Sequence, residues 1–169
     1  NVENLELYGN LVLASKNICE FSLHRLSLKG NLTTNTALFA GQYINYIEVD
    51  GGGKWTLLDS LTCYELALRN GTLFTNGKSA NIHYFYGSGE NTPKRLELGD
   101  SHWYISGNFQ NYSEFSLQGD SISVIPGTST IEFINGGDFY ERKLHNFHRL
   151  LFSLETGNST VQTESGISN

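Results

Sequence analysis

Apolar residues recur along this chain in a short beat, apolar-x-apolar, that soon ends at a glycine. Leu5-Glu6-Leu7, Leu26-Ser27-Leu28, Ile47-Glu48-Val49, Leu66-Ala67-Leu68, Leu96-Glu97-Leu98, Phe115-Ser116-Leu117, Ile131-Glu132-Phe133 and Phe152-Ser153-Leu154 all carry it, and Gly or Asn-Gly follows each. The beat is the alternation of a β-strand, two side chains on one face and one on the other, closed by a residue that tolerates positive φ. Between first apolar residues the steps are 21 (5 to 26), 21 (26 to 47), 19 (47 to 66), 30 (66 to 96), 19 (96 to 115), 16 (115 to 131) and 21 (131 to 152). A step near twenty with no helical period between strands is that of stacked coils. Two apolar side chains cannot form a core alone, but coils stacked at about 4.8 Å bury each pair against the next. The pattern therefore predicts one all-β solenoid domain of about eight coils over residues 1–169. The alternative is a β-sandwich, jelly roll or barrel, whose strands also recur between turn signals.

Composition agrees with strands and tight turns. The 169 residues include 18 Gly, 9 Tyr and 10 Phe but only 2 Pro and no Met. Charged residues are 17%, below the usual quarter, so the surface is neutral-polar and rich in Asn, Ser and Thr. A net charge of −6 and the lack of any Lys/Arg cluster argue against a nucleic-acid partner. No apolar run is long enough for a membrane span, and Asn1-Val2-Glu3-Asn4 lacks the character of a signal peptide. The absence of an initiator Met leads us to expect a fragment of a longer multidomain protein. Cys19 and Cys63 stand 44 residues apart, near two coils of the repeat. Two coils separate residues by about 9.6 Å, beyond the ~7 Å reach of a disulfide, which favours two buried free thiols. Neither has a histidine at metal-ligand spacing, and no cofactor motif is present.

A second order overlies the first. Gly53-Lys54-Trp55-Thr56-Leu57 and Ser101-His102-Trp103-Tyr104-Ile105 repeat a small-x-Trp-x-apolar phrase 48 residues apart, which suggests two long repeats of two or more coils each. The run Gly51-Gly52-Gly53-Lys54-Trp55-Thr56-Leu57, then Leu61-Thr62, then Leu66-Ala67-Leu68-Arg69-Asn70-Gly71-Thr72-Leu73-Phe74-Thr75-Asn76-Gly77, resembles the GGTWTL, LT and LTLTNGTLNTNG repeats of large secreted surface proteins of Bacteroidetes and related environmental bacteria. Asn91-Thr92-Pro93-Lys94-Arg95-Leu96-Glu97-Leu98-Gly99-Asp100-Ser101-His102-Trp103-Tyr104-Ile105-Ser106-Gly107 is similar to their NTRTLNLGNSTWTVSG, and Gly127-Thr128-Ser129-Thr130-Ile131-Glu132-Phe133 to GTSTIEF. His145-Asn146-Phe147-His148-Arg149-Leu150 is similar to the YYNL phrase that opens their next cycle. The match covers about residues 47–155; the first 46 share only the coil rhythm. What the resemblance implies is a right-handed parallel β-helix serving as a stalk or adhesin-like module, exported by the type IX route and held at the outer-membrane surface or outside the cell.

Candidate chemistry is sparse. Trp55 and Trp103 offer rings on which a pyranose could stack, although their repetition in one phrase favours a packing role. His83-Tyr84-Phe85-Tyr86 is the densest aromatic run, and alternation places His83 with Phe85 and Tyr84 with Tyr86. Outward tyrosines would form a strip, so Tyr84, Tyr86 and Trp103 are the candidate ligand-binding residues. His145 and His148, with Glu141 nearby, lie in an irregular stretch from Asp138 to His148 and read as solvated loop residues before they read as metal ligands. Polysaccharide cleavage needs carboxylates converging on one groove. Here the acids are spread, as Glu48 with Asp50, Glu97 with Asp100, and Asp138 with Glu141, so no enzyme is expected. Expected instead is a non-catalytic structural or adhesive module. Its partners would be flanking domains of the same polypeptide at the open strand edges, together with glycans or other surface proteins. A carbohydrate-binding or polysaccharide-active β-helix is the alternative.

Overall fold

The computed structural model describes residues 2–15, 23–87, 91–106, 113–119, 121–153 and 159–163. Strands follow one another as β1 (Val2–Leu7), β2 (Leu11–Val12), β3 (Leu23–Leu28), β4 (Asn35–Leu38), β5 (Tyr43–Leu57), β6 (Leu61–Phe74), β7 (Ala80–Tyr86) and β8 (Lys94–Glu97). The series continues as β9 (His102–Ser106), β10 (Glu114–Leu117), β11 (Ile122–Ile125), β12 (Thr130–Ile134), β13 (Gly137–Glu141), β14 (Arg149–Ser153) and β15 (Ser159–Thr163). Every pairing among them is parallel. Among the described residues there is no helix, and hence none that could cross a membrane. The chain is a β-solenoid.

Three faces stack along it. The first face runs through β1, β3, β5, β6, β7, β10, β13 and β15. The second is built from β2, β4, the ends of β5 and β6, then β8 and β11. The third takes the starts of β5, β6 and β7, then β9, β12 and β14. β5, like β6, visits all three: Tyr43 and Ile44 pair on the third face, Tyr46 to Val49 on the first, and Lys54 to Thr56 on the second. The coil thus passes third, first, second, and climbs a rung. Among the described residues eight rungs lie on the first face and six on each of the others, so the coil makes about six turns rather than eight.

The predicted register holds where the coil is most regular. On the first face Leu5, Leu26, Ile47 and Leu66 stand in one ladder, as their spacing requires. The ladder then continues through Phe85, Phe115, Phe139 and Val161. It does not pass through Leu96, Ile131 or Phe152. Leu96 lies on the second face between Leu73 and Val124, while Ile131 and Phe152 belong to the third. The cause is geometric, since each side of a three-sided coil needs its own inward apolar pair and the same phrase recurs on all of them. The long step therefore falls between Phe85 and Phe115, not between Leu66 and Leu96.

Inward side chains form one core. Leu26, Ile47, Leu66, Phe85, Phe115 and Phe139 are buried from the first face, Trp55, Leu73 and Leu96 from the second, and Ile82, Trp103, Ile105, Ile131 and Phe133 from the third. Full burial of such a side chain contributes about 1.5–3 kcal/mol. Trp55 sits opposite Asn35 and Leu73, whereas Trp103 sits opposite Ala80 and Ile131. Their shared phrase does not put them on a common face, and the 48-residue long repeat is not a repeat of the architecture. Cys63 is a buried free thiol between Ile44 and Ile82, its ionisation pushed far up by desolvation. Cys19 lies outside the described residues. At the bend within β6, Gly71 adopts φ 89°, and a Cβ there would lie 2.5 Å from the Gly53 carbonyl oxygen, so only glycine fits.

Candidate functional site on the outer surface of the first face

Strand alternation that sends the first-face ladder inward sends its neighbours out. Two outward ladders result. One reads Arg25, Tyr46, Glu65, Tyr84, Glu114, Asp138, and the other Glu6, Ser27, Glu48, Ala67, Tyr86, Ser116, Tyr140. Four members of the second ladder, Ser27, Glu48, Ala67 and Ser116, are buried although they point away from the core. The long side chains around them make an outer layer.

That layer divides into two halves of different electrostatics. In the lower half Glu48 receives Arg25 at 2.7 Å and the Ser27 hydroxyl at 2.6 Å, with the Tyr46 hydroxyl at 3.3 Å and Arg69 at 3.9 Å. Burial alone would raise its carboxyl, but Ser27 and Arg25 together hold it below the usual range. Arg25 also lies over the Tyr46 ring at 4.6 Å, and Lys29 pairs with Asp50 at 2.6 Å. Glu48 and Asp50, an acid pair noted in the sequence, are each taken up by a cation.

The upper half is not neutralised. Glu65 is pushed up by desolvation, against an opposing pull from Arg69 and Arg25. Glu114 is also pushed up, first by burial and further by Asp138 on the next rung, against hydrogen bonds from Ser116 and Tyr86. None of these groups acting on Glu114 is a cation. Among the described residues no ion pair involves Glu114 or Asp138; the latter accepts the Tyr140 hydroxyl at 3.1 Å. The Tyr86 hydroxyl is pushed well up by burial and by Glu114.

The tyrosines face as alternation requires. Tyr84 and Tyr86 are half-buried on the outer surface, their rings stacked at 5.8 Å and 11°. Trp103 does not join them, because it is fully enclosed inside the third face with its ring edge-on to Phe85 at 5.4 Å. As a surface ligand residue it is corrected to a core residue; Trp55, for which the repeated phrase favoured packing, is a core residue too. His83 departs from strict alternation at the bend between third and first faces. It stacks on Tyr64 at 4.7 Å, meets Tyr84 edge-on at 4.4 Å, and hydrogen-bonds the Ser106 carbonyl through Nδ1. Its buried Nε2 has no partner among the described residues.

The two histidines of the irregular stretch after β13 differ in their surroundings. His145 is not a solvated loop residue: its side chain is largely enclosed, with Nδ1 2.7 Å from Glu141 and the ring beside Phe147. His148 is exposed and apart from that pair. No cluster of three potential metal ligands exists among the described residues. Sequence reading missed Glu65, Glu114 and Tyr140 as companions of Tyr84 and Tyr86. Their adjacency arises across steps of 19, 30 and 24 residues (66 to 85 to 115 to 139), which only the true first-face register brings together. The available signal was the polar residue preceding or splitting each first-face apolar pair. No protein family, curated protein or solved structure gives a significant match to this chain.

Proposed function

We propose that this chain is a non-catalytic structural and adhesive module of a large bacterial cell-surface or secreted protein, a rigid segment that presents one interaction surface. Its partners are further domains of the same polypeptide along the coil axis, and glycans or neighbouring surface proteins on the first face. The observation that carries this reading is the upper half of that face, where tyrosines and carboxylates are held on consecutive rungs without neutralising one another. Side chains fixed by a hydrogen-bonded ladder lose little further freedom on binding, which is what a recognition surface requires. Rigidity has a separate source, the continuous apolar ladders.

The test is affinity electrophoresis against a panel of polysaccharides and isolated surface proteins, with reducing-sugar and unsaturated-product assays on the same mixtures. Retardation without product is expected, and Tyr86→Ala should abolish it. Failure of every panel member to retard the protein would remove the adhesive part of the reading. A second reading, a polysaccharide-active domain, is favoured by one observation: a carboxyl raised by burial beside a second carboxyl is the arrangement of a proton donor. Product release that disappears in Glu114→Gln would establish it.

A further inference from the structure

Resting on the reading of the first face as an interaction surface, we propose that its upper half binds a glycan bearing free amino groups, a chain of 2-amino-2-deoxyhexose units, in preference to neutral or acidic chains. The rings come first. Tyr84 and Tyr86 lie nearly parallel on one rung, and Tyr140 stands on the ladder of Tyr86 two rungs further, with buried Ser116 between them. Aromatic rings on an outer surface offer apolar area against which pyranose rings can pack. His83, enclosed behind Tyr64 and Tyr84, has a buried Nε2 with no hydrogen-bond partner among the described residues.

Charge then selects among sugars. Glu114 and Asp138 occupy adjacent rungs, about 4.8 Å apart along the ladder, and like charges directly opposite each other destabilise a sheet. A few rungs below, the same face couples each of Glu48 and Asp50 to Arg or Lys. Among the described residues no such cation pairs with Glu114 or Asp138. A protonated amine on the sugar supplies one, between two carboxylates and over aromatic rings that themselves attract cations. A uronate would add a third negative charge, and an N-acetylated unit would bring none to offset the two present. A cationic peptide fits less well. Strands β7, β10 and β13 are each paired on both sides, which leaves no edge for strand addition.

Calorimetric titration of the protein near neutrality with four probes tests this: a glucosamine hexamer, its fully N-acetylated counterpart, an oligogalacturonate and hexalysine. The glucosamine hexamer should bind at least tenfold more tightly than any other probe, and added salt should weaken it. Glu114→Gln with Asp138→Asn should cost at least tenfold in affinity while leaving the melting temperature within a few degrees of the parent. Tyr86→Ala should cost a similar factor. Equal or tighter binding of hexalysine, or binding of the oligogalacturonate, overturns the proposal. Equal binding of the N-acetylated hexamer that is lost in Tyr86→Ala also overturns it, while leaving the interaction surface in place. Binding by no probe overturns it too, and the wider polysaccharide and protein panel then judges the surface itself.

Discussion

Truncating Phe115 to alanine removes the middle ring of the aromatic column at the centre of the first face. Phe85 stacks on it at 4.7 Å and 24°, Phe139 at 5.8 Å and 7°, and Trp103 and Phe147 meet its edges at 6.0 and 6.3 Å. The side chain is fully enclosed. Phe→Ala changes in cores cost about 3–5 kcal/mol, from lost transfer energy plus the cavity left behind. Aromatic pairs contribute roughly 0.5–1.5 kcal/mol beyond their area, and four such contacts place this site at the upper end, about 4–5 kcal/mol. The rings above and below belong to different rungs held by their own backbone ladders, so the cavity cannot collapse easily. Urea unfolding followed by intrinsic fluorescence would measure the loss, with Phe152→Ala as comparison. Phe152 is only half-buried and among the described residues stacks on Phe133 alone, at 4.8 Å, so its loss should cost less than half as much. Hydrogen exchange should show the loosening concentrated in β7, β10 and β13, because a solenoid rung contacts chiefly its neighbours. A cost for Phe115→Ala below about 1.5 kcal/mol, or no larger than that of Phe152→Ala, would refute the packed central column.

Two further outcomes follow from the backbone and from charge. Gly71→Ala forces φ 89° on a residue with a Cβ and drives that carbon against the Gly53 carbonyl, so it should cost about 1–3 kcal/mol in thermal or urea unfolding. Gly9→Ala, where no atom lies within 4 Å of the added carbon, should stay within about 0.5 kcal/mol. The pH dependence of stability should separate Glu48 from Glu114. The Glu48 carboxyl is depressed in the folded state, so its stabilisation is present above its ordinary value of 4.5 and is lost as pH falls through the folded value. Glu48→Gln should therefore cost about 1.5–3 kcal/mol at neutral pH, from hydrogen bonds to a charged group, and flatten the acid limb of the stability curve. The Glu114 carboxyl is raised, so its contribution is complete below 4.5 and is lost as pH rises through the folded value. Glu114→Gln should leave the acid limb unchanged and raise stability above it, and a loss of stability at neutral pH would contradict the unpaired state described for this carboxylate.

Strand rhythm was the most legible property of the chain, because alternation and a glycine-bearing bend are local and leave their mark within ten residues. Leu5, Leu26, Ile47 and Leu66 could be placed in one ladder from spacing alone. Beyond Leu66 the spacing misleads, since Leu96 and Ile131 carry the same phrase on other faces. The number of coils was overcounted for the same reason. Tyr84 and Tyr86 could be placed outward by alternation, but for Trp103 the repeated phrase favoured packing without fixing it, because whether a tryptophan in a strand faces core or solvent depends on which neighbours hold register with it. Glu114 and Asp138 are 24 residues apart in sequence and directly opposite in space, a relation invisible until the Phe115 to Phe139 step is known.

An outward row that is itself buried needs an explanation, and the two halves of the first face answer differently. In the lower half the burial of Ser27 and Glu48 is explained by what covers them, because Arg25, Tyr46 and Arg69 converge on one carboxylate and satisfy it. That half closes on itself, and it stiffens the rod. In the upper half Ser116 is equally buried, yet its ladder neighbours are Tyr86 and Tyr140, and among the described residues Glu114 beside it has no ion pair. A purely mechanical face would gain by placing threonine or asparagine at the position of Glu114, since each would hydrogen-bond without facing Asp138 as a like charge. Retaining the carboxylate there costs the isolated rod a few tenths to 1 kcal/mol. Such a local cost is intelligible where a bound cation removes it, and the stacked tyrosines beside it are the surface on which that cation's carrier can lie.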